Sequence, residues 1–148
     1  MAFGNLTDVC DALVTALAGQ AWSVPFSAAR KYRPEFTLEQ LETVQAAVCA
    51  ERVSKLRVAR NTWQEDAVVT VGLQKRVSAV GDQAEVDCDE MVQVWEEVCE
   101  FLQGNDLTLV PGAKLVAMDV VHADRQHLNE NHVWTGTATL TYRGFRQQ

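Results

Sequence analysis

Residues 65–104 read EDAVVTVGLQKRVSAVGDQAEVDCDEMVQVWEEVCEFLQG, and this stretch decides the fold. In its first part, every second residue from Ala67 to Val77 is apolar except Lys75, and most of the residues between them are not. A period of two is typical of a half-buried β-strand. Gly81 and Asp82 then mark a turn. The stretch therefore begins with a strand that has one face toward the core.

The second part of the stretch has the period of a helix. Asp87 and Glu90 have the spacing of an N-terminal capping box, and Gly104 is typical of a helix end. Between them, apolar residues recur at intervals of three and four, which predicts a helix that lies across the sheet. The residues of this apolar stripe are Met91, Val94, Trp95, Val98, Phe101 and Leu102.

The rest of the chain supplies further strands and one more helix. Residues 37–50 fit either a helix or a strand, and we favour a helical turn capped by Thr37 and Gln40, followed by a strand. In chain order we predict a helix at 5–18, an extended segment at 22–34, a helical turn at 37–41, a strand at 44–49, a long connection at 51–64, strand residues at 107–110, a strand at 114–121 covered on both sides, a polar connector at 123–131, and a strand at 133–143 paired with 114–121.

This order predicts an α+β fold. We expect an antiparallel or mixed sheet of about four to five strands, with the N-terminal helix and the long central helix packed on one face. A length of 148 residues suits a single domain over residues 1–148. The first ten residues lack the features of a signal peptide, and no apolar run approaches the roughly 20 residues that cross a bilayer. We therefore expect synthesis in the cytoplasm and no membrane partner.

The composition narrows the possible functions. The four cysteines, Cys10, Cys49, Cys88 and Cys99, are widely spaced and form no C-x-x-C motif, so we predict small buried thiols in preference to a disulfide or a metal site. A net charge of −7 argues against a protein that binds nucleic acid with its whole surface.

The sequence contains no recognisable catalytic motif. A phosphate loop, a G-x-G-x-x-G turn, a G-x-S-x-G elbow and an H-E-x-x-H helix are all absent. His122, His127 and His132 are the candidates for a metal site, because imidazole binds zinc and iron. Their spacing of five residues fits neither one helix face nor one strand face. We predict no catalytic residue, no cofactor and no metal, and therefore not an enzyme.

An N-terminal helix is followed by a Y-x-P-x-F segment (Tyr32, Pro34, Phe36) and a Leu-rich turn. After them come a basic connection, the strand end VGLQKRV at 71–77, an acidic amphipathic helix that ends in Phe101 and Leu102, and a closing LTYR at 140–143. Together these segments resemble the small tail-terminator or tail-completion proteins of long-tailed bacteriophages, over roughly residues 22–143.

The resemblance implies a structural role in the virion. A member of this family forms a ring of identical subunits, usually a hexamer, which caps the tail tube and joins it to the connector of the head. The implied partners are other copies of the chain, the tail tube protein and a head-completion or connector protein. DNA would pass through the lumen without specific binding. The implied location is the tail or neck of the virion, after assembly in the host cytoplasm.

Charge segregation suggests how such a ring forms. We predict that a basic connection in one subunit meets the acidic face of the central helix in the next, in a head-to-tail contact. The basic residues are Arg52, Lys55, Arg57 and Arg60, and the acidic residues are Asp89, Glu90, Glu96, Glu97 and Glu100.

Three other functions fit the same sequence. A head-closure or connector-adaptor protein of the neck has a similar size and composition. A binding module that does not form a ring and has no catalytic activity needs only the contact surfaces. The third alternative is an enzyme that depends on a metal bound by the histidines. The oligomeric state separates the ring from the module, and bound metal identifies the enzyme.

Overall fold

The computed structural model describes residues 4–33, 36–78, 81–104, 110 and 112–147. Within these residues it contains three α-helices, one 3-10 turn and five strands. In chain order the elements are α1 (Leu6–Ala18), β1 (Ser27–Lys31), the 3-10 turn (Gln40–Glu42), β2 (Gln45–Ala59), β3 (Thr62–Arg76), α2 (Gly81–Gly104), β4 (Lys114–Val121), α3 (Arg125–Asn131) and β5 (Val133–Gln147).

The strands form one mixed sheet in the spatial order β1, β2, β3, β5, β4. β1 pairs with β2 in parallel, and the other three pairs are antiparallel. β3 is the middle strand, and β5 pairs with it along its whole length, from Thr62 opposite Gln147 to Arg76 opposite Val133. The predicted pairing of 114–121 with the last strand is confirmed.

The inward face of β3 lies at the centre of the core. Ala67, Val69, Val71 and Leu73 are each at most 1% exposed, as the alternation predicted. They form one hydrophobic cluster with buried residues of β2, β5, α1 and α2. Both long helices therefore pack on the same face of the sheet, which confirms the α+β prediction.

α1 begins and packs as the sequence predicts. Asn5 accepts a hydrogen bond from the Asp8 N–H, and the Asp8 carboxylate accepts one from the Asn5 N–H, which completes a capping box. Thr37 and Gln40 make the same reciprocal pair ahead of the 3-10 turn, so the helical turn followed by a strand is confirmed. The buried face of α1 consists of Val9, Cys10, Leu13 and Leu17.

α2 is longer than predicted, because it starts at Gly81 and not near Asp87. The Asp87 carboxylate accepts hydrogen bonds from Gln83 Nε2 at 2.8 Å and from the Ser78 N–H at 2.9 Å. These bonds, that of Gln83 first, hold the pKa of Asp87 below its ordinary value. Asp87 therefore lies within α2 and links the helix to the residues just after β3. It is not the N-cap that its spacing from Glu90 suggested. The predicted stripe is confirmed, with Met91, Val94, Trp95, Val98 and Leu102 buried and Phe101 half-buried.

The prediction of a long connection at 51–64 is wrong. Its residues belong to β2 and β3, which pair down to Ala59 opposite Thr62 and turn at Arg60 and Asn61. Most of the residues of β2 from Glu51 onward are exposed, so no alternation of polar and apolar residues marks this part of the strand. Backbone pairing holds it in the sheet instead.

Two smaller predictions are also wrong. The strand at 114–121 is not covered on both sides, because β4 lies at the sheet edge and Val116 and Val121 are 41% and 48% exposed. The connector at 123–131 contains the short helix α3. Of the strand predicted at 107–110, only Val110 falls within the described residues, where it is buried.

One end of the sheet extends past the core. We call residues 51–66 of β2 and β3, together with residues 143–147 of β5, the arm. No residue of the arm belongs to the hydrophobic core cluster. β1 pairs with β2 only as far as Cys49, and β4 pairs with β5 only as far as Arg143. Beyond these two residues, neither outer edge of the arm has a strand partner among the described residues.

Candidate interaction surfaces

The arm is basic in an acidic protein. It carries six basic residues and three acidic ones, a formal charge of +3 in a chain whose total is −7. Asp66 and Arg143 neutralise each other in a bidentate pair at 2.9 and 3.1 Å. The remaining basic residues are Arg52, Lys55, Arg57, Arg60 and Arg146, and the remaining acidic ones are Glu51 and Glu65.

The four basic residues predicted to form an interface all lie on the arm and are all exposed. Arg57 is partly occupied, since it donates hydrogen bonds to the carbonyls of Ala59 and Arg60 and so holds the turn. Lys55 lies near Glu65. The guanidinium groups of Arg52 and Arg60 have no described partner, which leaves them available for another molecule.

The acidic residues predicted to form the other half of the interface lie along α2. Asp89, Glu90, Glu96 and Glu100 are exposed. Glu97 is half-buried and accepts hydrogen bonds from the N–H and the hydroxyl of Ser23, so it fastens the segment after α1. Within one chain, the described residues contain no ion pair between the arm and α2. The structure therefore keeps the two charged sets apart.

The sequence analysis missed a buried acid on the arm. Glu65 is 1% exposed, and neither of its carboxylate oxygens accepts a hydrogen bond from a described residue. Lys55 Nζ lies 4.0 Å from Oε2. Both residues line a pocket of about 230 Å³ together with Trp63 and Arg146. Strand parity was the available signal, because Glu65 shares the inward positions of Ala67 and Val69.

We expect Glu65 to destabilise the folded protein. A buried charge without hydrogen bonds is unfavourable, so Glu65→Met should raise the free energy of unfolding by about 1 kcal/mol in urea denaturation. Lys55→Met is the matched variant and should lower it, because it removes the cation nearest to Oε2 among the described contacts. A loss of stability in Glu65→Met would show that the pair with Lys55 outweighs the burial of the charge.

A cleft lies at the other end of the sheet from the arm. Two adjoining pockets of about 430 and 450 Å³ share the lining residues Val77, Ser78 and His132. The cleft runs between the segment around the 3-10 turn, the first half of α2, and α3. Its other lining residues are Leu38, Glu42, Arg76, Ala84, Glu85, Asp87, Cys88, Asp89, Leu128, Asn129 and Asn131.

The structure gives the histidines separate places. His122 follows β4 and is exposed. His132 has a positive φ of 54°, and its carbonyl accepts the Val77 N–H at 2.8 Å, which joins α3 to the end of β3. The side chain of His127 lies outside the described residues. Among those that are described, no three His, Cys, Asp or Glu side chains are grouped for a metal.

The thiols are reduced, and burial lowers their reactivity. Cys10 and Cys49 are buried, whereas Cys88 and Cys99 are half-buried, so the prediction of four buried thiols is wrong for two of them. Burial raises the pKa of Cys10 and of Cys99 to about 11. The neutral thiols therefore stabilise the fold below about pH 8.5, and this contribution is lost as the pH rises through their folded-state pKa.

Alkylation should show this protection directly. At pH 8 a thiol of pKa about 8.5 is roughly a quarter ionised, and one of pKa about 11 only about 0.1% ionised. We expect iodoacetamide at pH 8 to modify Cys10 and Cys99 at least tenfold more slowly in the folded protein than in urea, as followed by peptide mass spectrometry. Equal rates in both states would contradict the raised pKa values.

The remaining observations do not identify a family. None of the described helices is long and apolar enough to cross a membrane. The chain matches no protein-family model and no curated protein sequence.

Proposed function

We propose that this protein is a bacteriophage tail terminator, which forms a ring that caps the tail tube and joins it to the head connector. The observation that carries the proposal is the arm, a three-stranded extension with exposed basic and apolar side chains and two unpaired edges. Such an edge is a template for contact with another chain. A self-assembling structural subunit accounts for it better than an isolated monomer does.

The arm and α2 supply complementary charges on separate parts of one subunit. When one surface of a subunit binds a different surface of the next copy, the contact is heterologous. Such a contact forms a closed ring if the rotation that relates neighbouring subunits adds up to 360° over a whole number of subunits. The head-to-tail contact that we predicted from the sequence is of this kind. Its charged residues are exposed, with Glu97 as the exception.

The charge of the chain also suits a lumen through which DNA passes. Each phosphate that a protein neutralises strengthens its binding to DNA. A chain with a net charge of −7, whose basic residues are taken up by subunit contacts, holds DNA weakly. We propose the tail tube protein and a head-completion or connector protein as the partners above and below the ring, in the neck of the virion.

Native mass spectrometry over a concentration series, with and without a chelator, tests the proposal. We expect a closed, metal-free oligomer, with six subunits as the favoured number. Purified tail tubes capped by the protein in electron micrographs would then place it at the tail end. A monomer at all concentrations that also fails to bind tail tubes would overturn the proposal, and a mass shift caused by the chelator would favour a metal-dependent protein.

Reversing the charge of the arm should weaken assembly. In Arg57→Glu/Arg60→Glu, two ion pairs of up to about 1 kcal/mol each become repulsive, so the concentration needed for assembly should rise at least tenfold. Assembly should also become less sensitive to salt. Because Arg57 holds the turn, circular dichroism must match that of the wild type. Lys114→Glu, a single charge reversal of the same sign outside the arm, is the control. Unchanged assembly of the arm variant would contradict the contact.

A further inference from the structure

The middle strand connects two unlike surfaces. At its start, Thr62 follows the turn of the arm, and at its end Arg76 lines the cleft. A strand of 15 residues is about 50 Å long at roughly 3.3 Å per residue. The two surfaces therefore lie far apart at opposite ends of one paired strand and cannot meet within the same subunit.

We infer that the tip of the arm, residues 56–62, docks into the cleft of the next subunit in the ring. This inference rests on the proposed function and adds to it the surface that receives the arm. The partner is a second copy of the same chain, bound head to tail. Each subunit then gives one arm and receives another, which is the geometry that a closed ring requires.

Charge is complementary between the tip and the cleft. The tip carries Arg57 and Arg60 and no acidic residue. Four carboxylates line the cleft, and Arg76 is the one lysine or arginine among its lining residues in the described part of the chain. Asp87 is already bonded to Ser78 and Gln83, which leaves three carboxylates for the arm. These are Glu42, Glu85 and Asp89.

Apolar side chains are exposed on both sides of the proposed contact. On the arm, Leu56 is 59% exposed and Val58 is 47% exposed. At the cleft, Leu38 is 58% exposed and Leu128 is half-buried. Burial of such side chains stabilises a contact in proportion to the apolar area removed from water, and surface ion pairs alone contribute little. The contact therefore combines an apolar centre with a charged rim, as protein interfaces commonly do.

The second half of α2 fits the arm less well. Glu97 is occupied by Ser23, and neither Glu96 nor Glu100 lines the cleft. Asp89 and Glu100 are 11 residues apart, about 16 Å along the helix at 1.5 Å per residue. The two halves of the acidic face can thus be tested separately.

Exchange of charges across the contact tests the inference. We expect Arg60→Glu alone and Asp89→Lys alone each to raise the concentration for ring assembly at least tenfold in native mass spectrometry. The double variant, Arg60→Glu with Asp89→Lys, should return to within about threefold of the wild type, because each contact again joins opposite charges. Asp119→Lys, the same charge change at an exposed residue of β4 outside the cleft, is the matched control and should change assembly less than threefold. Glu100→Lys, in the second half of α2, should weaken assembly less than Asp89→Lys does.

The outcomes separate this inference from the proposed function. If the wild type forms a ring and both single variants assemble as it does, the docking of the arm in the cleft is overturned while the ring remains. The same conclusion follows if Glu100→Lys weakens assembly more than Asp89→Lys, or if the double variant is no better than the single ones. If the wild type forms no oligomer at any concentration and also fails to bind tail tubes, both proposals fail together.

Discussion

Trp95→Ala is expected to lower the free energy of unfolding by about 3–5 kcal/mol, as is typical when a buried aromatic side chain is truncated. Trp95 lies in the middle of α2, is 0% exposed, and belongs to the cluster that joins both helices to the sheet. Its ring packs edge to face against Trp134 of β5, with the ring centroids 6.5 Å apart. Alanine would leave a cavity where α2 crosses the sheet.

Two further variants make the measurement specific. Trp95→Phe keeps most of the apolar area and removes an indole N–H that is buried without a described partner, so we expect it to lose less than half as much stability. Val86→Ala changes a residue of the same helix that is 48% exposed, and should lie within about 0.5 kcal/mol of the wild type. Urea denaturation measures all three. A loss below about 1 kcal/mol in Trp95→Ala would contradict the packing.

Gly136→Ala is expected to cost about 1–3 kcal/mol, because it adds a methyl group to a filled core. A Cβ at this position would lie 2.7 Å from Trp134 Cη2 and 2.9 Å from both Trp134 Cζ3 and Trp95 Cε2. Such distances are shorter than van der Waals contact, so the rings or the strand have to move. Gly136 therefore makes room for the two tryptophan rings.

Gly72 on the neighbouring strand is the matched control. A Cβ on Gly72 would meet only the Gly136 carbonyl oxygen, at 3.7 Å, which is an ordinary contact. Gly72→Ala should therefore be neutral or stabilise the protein by up to about 1 kcal/mol, since it restricts the unfolded chain. In a double-mutant cycle, Trp134→Leu should reduce the cost of Gly136→Ala. Equal costs for Gly136→Ala and Gly72→Ala would show that the rings yield freely.

Periodicity predicted α1, α2 and the inward side of β3 from Ala67 to Leu73, because it reports contacts on one face of one element. It predicted neither α3 nor the first residues of β3, which fell in the connection predicted at 51–64. The buried stripe of α2 was predicted correctly, but the first residue of the helix was not. Asp87 has the sequence spacing of a helix cap, yet it lies within the helix and accepts a hydrogen bond from the Ser78 N–H. The arm had no such signal. With both faces exposed, the residues of β2 beyond Glu51 alternate in no recognisable way.

For the charged surfaces, too, the sequence predicted some features and the structure revealed others. The two sets of charged residues were found in the sequence, because composition and helix spacing are sufficient to locate them. The burial of Glu65 and the cleft were not found. Glu65 lines a pocket together with residues of two other strands, Lys55 of β2 and Arg146 of β5. The cleft joins Leu38, Asp89 and Leu128, which are distant in the chain.

The sequence by itself determined that the protein is α+β, that α1 and α2 each bury one face, and that β3 has an inward side. These properties depend on side-chain spacing within one element. Only the tertiary structure decided that β2, β3 and β5 extend past the core as an arm, that Glu65 is enclosed there, and that a cleft lies at the opposite end. The arm and the cleft depend on strand register and on contacts between distant residues, which no local pattern records. Strand parity puts Glu65 on the inward side, but its enclosure depends on the neighbouring strands.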